Sequence, residues 1–191
     1  HSGVSGMTWL PFTTNDGLAN NKVTRIDEAP NGDLWFSHSS FSAGVSVFDG
    51  NNWISYNSPD LPISGVCATS FSDNGDIWFA SPLDGLAHYD GTNFTNYSAN
   101  DGLLSNYSTS VLVDNSNNIW LGSQDGMTVM NSTINQFTFH TIMYSLPPPD
   151  TLNPVTEIAK DSWGRIWTTI YVGYLAEGGV AYWNGSQWFD F

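Results

Sequence analysis

The sequence predicts an all-β fold assembled from repeated small sheets, and three observations carry that expectation. A tryptophan set in one short phrase recurs four times, in Gly32-Asp33-Leu34-Trp35-Phe36, Gly75-Asp76-Ile77-Trp78-Phe79, Asn117-Asn118-Ile119-Trp120-Leu121 and Gly164-Arg165-Ile166-Trp167-Thr168. Successive tryptophans lie 43, 42 and 47 residues apart, a period long enough for several short strands and a mark of repeat architecture. Between the phrases, short apolar-rich runs alternate with Asn-Gly and Asp-Gly pairs, which accept the positive φ of tight hairpin turns. Strand repeats of this length read as the four-stranded blades of a β-propeller.

The second repeat shows the grammar in full. Strand a is expected over Gly65 to Phe71, strand b over Ile77 to Ala80, strand c over Gly85 to Tyr89 and strand d over Asn93 to Tyr97, with turns at Asp73-Asn74-Gly75 and Asp90-Gly91. Strand c recurs as Gly44 to Phe48, Gly126 to Met130 and Gly179 to Trp183, and strand d as Trp53 to Tyr56, Phe137 to His140 and Trp188 to Phe191. Both faces of these strands carry apolar residues, as they must when each sheet lies between two others. The blades are expected at about 20–57, 63–98, 106–141 and 153–191 within one propeller domain over 7–191. An extra outer strand is expected at 8–14, where Trp9-Leu10-Pro11-Phe12 repeats the strand-d pattern with no a, b or c before it, and Pro11 suits an edge position. Residues 1–6 are small and pattern-free and are expected to be a disordered or extraneous leader.

Composition narrows the function classes. With 40% hydrophobic and 15% aromatic residues the chain has the material for a packed core, so disorder is not expected. Four Lys and Arg against 18 Asp and Glu give a net charge of −14, which repels phosphate backbones, so no nucleic-acid partner is expected. No apolar run has the length of a membrane span, so no membrane insertion is expected. Cys67 stands alone in an apolar run and reads as a small buried residue. No Gly-x-Ser-x-Gly, His-Glu-x-x-His or phosphate loop is present, and the Asp73 and Asp114 turns lack the distal Glu of a calcium loop, so neither cofactor nor metal is expected.

The full pattern resembles the two-component regulator propeller repeat of bacterial sensors and secreted proteins. It is carried by Phe94 to Tyr97, Asp101-Gly102-Leu103, Asp114, Gly75 to Phe79 and Gly85 to Gly91, and in weaker form it runs from Trp9 to Phe191. Departures are Asn117 in place of a turn glycine, Asn131-Ser132 in place of Asp-Gly, and longer connections at Met143 to Pro154 and Ile170 to Glu177. The resemblance implies an extracellular or periplasmic bacterial sensor module, built of about seven blades per ring, that detects a ligand such as a glycan. Four blades leave two faces uncovered, so the expected partners are the remainder of a longer propeller or, next in order, further copies of this chain; a closed four-bladed ring ranks third.

Ligand residues are expected on the b-to-c and d-to-a loops, which share one end of a propeller. The candidates are His38, Phe41, Asp84, Gln124, Asp125, Tyr144, Tyr171, Tyr174 and Glu177. Tyrosine rings beside carboxylates and amides suit a carbohydrate, because sugar faces stack on rings and hydroxyls donate to carboxylates. His88 occupies a strand-c slot filled elsewhere by Val47, Val129 and Tyr182, which points to packing. A structural or self-assembling cell-surface protein is the second reading. A propeller lyase or hydrolase is the third and least favoured, with His38 and either Glu177 or Asp84 as its acid–base pair.

Overall fold

Each recurring phrase in the computed structural model begins the second strand of a four-stranded antiparallel meander. The model describes residues 10–38, 44–131, 136–140, 154–170 and 179–190. Blade 1 comprises β1 (Arg25–Glu28), β2 (Leu34–Ser37), β3 (Val45–Phe48) and β4 (Trp53–Tyr56). Blade 2 comprises β5 (Ala68–Phe71), β6 (Ile77–Ser81), β7 (Gly85–Tyr89) and β8 (Phe94–Tyr97). Blade 3 is β9 (Ser108–Val113), β10 (Asn118–Ser123), β11 (Gly126–Asn131) and β12 (Gln136–His140). Blade 4 is β13 (Val155–Lys160), β14 (Ile166–Ile170), β15 (Gly179–Trp183) and β16 (Trp188–Asp190).

The turns form where short polar side chains fold back on the backbone. Asp49 Oδ1 accepts the N–H groups of Asn51 and Asn52, Asp90 Oδ1 those of Thr92 and Asn93, and Asn184 Oδ1 those of Ser186 and Gln187. At the a-to-b turns Gly32, Gly75 and Gly164 take φ of 91°, 93° and 81°, and Asn117 takes the same left-handed place at φ 59°. Asparagine tolerates that region better than other residues with a Cβ, so the departure at this position leaves the hairpin intact.

In blades 2 and 3 strands b and c are largely buried while strand d is half-exposed, as the middle and rim of a blade should be. The innermost strands β1, β5, β9 and β13 neighbour one another in that order. Packing between blades uses both faces. Trp35 and Phe79 help fill the contact of blades 1 and 2, Trp78 and Ile119 that of blades 2 and 3, and Trp120 and Ile166 that of blades 3 and 4. Among the described residues no such cluster joins blade 4 back to blade 1. What joins their inner strands is an ion pair, Arg25 Nη1 to Glu157 Oε1 at 3.5 Å.

The segment 10–14, the described part of the outer strand expected at 8–14, forms no strand among the described residues. It packs instead on the free face of blade 1, where Phe12 lies 5.4 Å from Trp53 and 6.1 Å from Phe48. The residues that follow reproduce an internal d-to-a connection. Thr13 N–H donates to Asp16 and Thr14 N–H to Asn21, as Ser98 N–H donates to Asp101 and Ala99 N–H to Asn106. Ala19 N–H then reaches Ser46 Oγ, as Leu104 N–H reaches Thr128 Oγ1.

Candidate functional site

The meander brings the b-to-c turns and d-to-a connections to one end of the blades and the a-to-b and c-to-d turns to the other. At the first end the loops of successive blades are tied together. Ser64 N–H donates to Asp84 Oδ2 at 2.6 Å, Ser81 Oγ donates to Ser64 O at 3.1 Å, and Gly85 N–H donates to Asn106 O at 2.9 Å. Asp84 is thus half-buried and engaged in holding a neighbouring loop. Gln124 is exposed on its turn, its N–H directed to the carbonyl of the exposed Tyr107. Asp125 is half-buried next to it, with its N–H on Ser123 Oγ.

His38 differs from the loop residue expected at its position. Its ring is buried, with Nδ1 3.1 Å from Lys22 O and Nε2 2.9 Å from Ser46 Oγ, and burial pushes its pKa down. Both nitrogens are engaged, so this histidine fixes the blade 1 loops and has no free lone pair or proton for a substrate. Phe41, Tyr144, Tyr171, Tyr174 and Glu177 lie outside the described residues. Asp84, Gln124 and Asp125 therefore make up the described part of the candidate loop site.

The remaining ionisable groups offer little chemistry. His88 stacks on Trp78 at 4.2 Å with Asp76 Oδ2 3.0 Å from its Nε2, the packed role its strand position implied. Burial pushes the Cys67 thiol up to about 11, so it stays protonated at neutral pH and is a poor nucleophile. Among the described residues no group of three or more His, Cys, Asp or Glu is placed to hold a metal ion. Asp114 shows why its turn does not: its carboxylate already accepts from Ser116 N, Asn118 N, Asn118 Nδ2 and Trp120 Nε1.

A cavity of about 340 Å³ lies at the opposite end, between blades 1 and 2, and none of His38, Asp84, Gln124 and Asp125 lines it. Its walls include Ala29, Asn31, Asp33, Trp35, Tyr56, Phe71, Asp73 and Tyr89. Tyr56 lies parallel to Trp35 at 6.1 Å, and burial together with the Tyr89 hydroxyl pushes its own hydroxyl up to about 12. The sequence held a signal for this site that the loop-centred reading passed over. Six residues before the recurring tryptophan stand Ser72, Asp114 and Asp161 in blades 2 to 4, but Ala29 in blade 1.

Comparison with known proteins agrees with the architecture. The two component regulator propeller family matches residues 102–125, which run from the d-to-a connection through β9 and β10 to the turn at Asp125. No curated protein matches the chain. Among solved structures, the extracellular domain of the one component system BT4673 from B. thetaiotaomicron superposes with a TM-score of 0.72 at 20% identity, over 91% of this chain and 24% of that one. PorZ, a surface component of the type-IX secretion system of Porphyromonas gingivalis, gives 0.70 at 15% identity, over 92% and 26%. A virginiamycin B lyase from Staphylococcus aureus with quinupristin gives 0.68 at 12%, over 88% and 55%. The chain thus spans about a quarter of the length of the first two. Residues 102–125 thus match the two component regulator propeller repeat, in a chain folded as four consecutive β-propeller blades.

Proposed function

We propose that the chain is the ligand-binding part of an extracellular or periplasmic sensor propeller, non-enzymatic, with carbohydrate as the ligand class at its loop end. The observation that carries this is the turn at Ser123 to Asp125. It ends the matched family repeat and presents Gln124 to solvent with Asp125 beside it and the exposed Tyr107 holding its backbone. An amide, a carboxylate and a tyrosine are the polar and aromatic groups that recognise hydroxyl-bearing ligands. The net charge of −14 argues against phosphorylated ligands. That the neighbours include extracellular domains supports the location, and no helix among the described residues is long and apolar enough to cross a membrane. Glycan arrays and thermal-shift screens test the reading. A glycan that raises the melting temperature of the protein, and loses its effect in Gln124→Ala with Asp125→Ala, supports it; no stabilising glycan at all refutes it.

A second reading is assembly at a cell surface, blades of several chains completing one ring. It is favoured by blade 4, whose outward side carries the 79% exposed Trp163 and the exposed Val180. Light scattering decides it, because a concentration-independent monomer excludes self-completion. Against the lyase or hydrolase reading stands the burial of His38, whose ring nitrogens face Lys22 O and Ser46 Oγ.

A further inference from the structure

The recurring indole is anchored in three blades by a hydrogen bond that it donates to its own a-to-b turn. Trp78 Nε1 donates to Ser72 Oγ at 3.1 Å, Trp120 Nε1 to Asp114 Oδ2 at 2.9 Å and Trp167 Nε1 to Asp161 Oδ2 at 2.8 Å. In blade 1 the acceptor position is Ala29, on the same backbone: Ala29 N–H bonds Asp33 O at 2.8 Å, as Asp114 N–H bonds Asn118 O at 3.0 Å. A methyl group stands where blade 2 has a hydroxyl and blades 3 and 4 a carboxylate. Trp35 is only 5% exposed and donates to no protein acceptor, yet its Nε1 is not among the buried polar atoms sealed without a partner. It borders the cavity that the missing side chain leaves.

We infer that this cavity is a ligand site, separate from the loop end, that takes a single sugar ring. The Trp35 N–H has no protein acceptor and is not sealed from solvent, so an occupant of the pocket that brings an oxygen to it keeps that donor paired as water is displaced. Carboxylates at the mouth, Asp33 and Asp73, repel an anion and accept hydroxyl protons. Aromatic walls at Tyr56, Phe71 and Tyr89 suit the C–H face of a pyranose. An organic cation would satisfy the rings and carboxylates but leave the indole N–H unpaired, whereas a neutral polyol satisfies all three. The volume falls in the range of small-ligand pockets.

The indole N–H resonance of Trp35, assigned by its loss in Trp35→Phe, is the direct reporter. The methyl glycosides of glucose, galactose, mannose and xylose are titrated against the folded chain, with tetramethylammonium as the cationic control. The expected result is a saturable shift of the Trp35 resonance by at least one glycoside, with those of Trp78, Trp120 and Trp167 unmoved. Ala29→Asp restores the acceptor found in blades 3 and 4 and occupies the Trp35 N–H, so it should fold and abolish the shift. Asp73→Ala, on an exposed turn, should weaken the same titration by about tenfold. This arm decides the matter if Ala29→Asp does not fold. Gln124→Ala with Asp125→Ala should leave the titration unchanged, which separates this site from the loop end. The inference fails if no glycoside shifts Trp35, if the shift survives both Ala29→Asp and Asp73→Ala, or if only tetramethylammonium produces it.

Discussion

Trp120 and Trp167 sit at the same point of successive blades and donate the same hydrogen bond to the same kind of turn carboxylate. Their surroundings differ. Trp120 is 4% exposed, packed with Val155, Ile158 and Ile166 of blade 4. Trp167 is half-buried, with Arg165 5.2 Å over its ring, Tyr182 at 4.8 Å and the exposed Trp163 also under that guanidinium. The comparison separates two jobs that the repeated phrase performs. Within a blade, the turn orients the indole; between blades, the next sheet removes it from water. A blade can do the first alone and needs a neighbour for the second, which makes stability in such arrays a sum of unit and interface terms.

The largest expected effect follows from the second job. Trp120→Ala should destabilise the chain by about 3–5 kcal/mol, the usual cost of emptying a buried aromatic site, and Trp167→Ala by about half that or less. Urea denaturation of both variants checks the pair. Equal losses would mean that blade 4 is covered in solution, and would redirect attention to self-association.

A smaller effect is expected at the Asp-Gly-Leu connection. Gly102 has φ 117°, and a Cβ there would stand 2.9 Å from Phe137 Cδ2, so Gly102→Ala meets both backbone strain and a ring. Gly32 has φ 91° with nothing within 4 Å, so Gly32→Ala meets strain alone. Gly102→Ala should cost about 1–2 kcal/mol and Gly32→Ala less, by thermal melts; the reverse order would show that the loop packing in blade 3 is looser than its geometry.

The blades were legible because their causes are local. The Asn-Gly and Asp-Gly turns, the strand edges of blade 2 and the tolerance of Asn117 for positive φ each depend on a few consecutive residues. What was not legible depends on distant ones. His38 follows a strand and reads as loop, but its ring is claimed by Lys22 and Ser46, residues far enough away that no spacing rule connects them. Leu10 to Phe12 has the letters of an outer strand, and what is described of it is the packing of Phe12 on Phe48 and Trp53, which no local pattern announces. Ala29 is intermediate: its meaning appears only when four copies are aligned on their tryptophans, because a lone alanine signals nothing.

The smallest effect separates the two tryptophan anchors by pH. Burial alone would raise the Asp114 carboxyl, but hydrogen bonds from Trp120, Asn118 and Ser116 outweigh it and hold it below the ordinary range. For Asp161 burial again opposes, and bonds from Trp167 and Arg165 hold it down at about 2. A carboxyl whose pKa is lower folded than unfolded lends stability above the unfolded value, near 3.9, and loses it as pH falls through the folded one. Melting temperature should therefore fall between about pH 4 and pH 2 in the parent chain. Asp114→Asn should flatten that fall at the cost of some stability at neutral pH, since its amide still accepts from the Trp120 indole but carries no charge. Asp161→Asn should change the profile less and in a salt-dependent way, because its partly exposed pair with Arg165 is screened. If Asp161→Asn flattened the acid limb more than Asp114→Asn, the anchor at the uncovered blade would be the stronger of the two, and orientation of the indole would not depend on the blade that buries it.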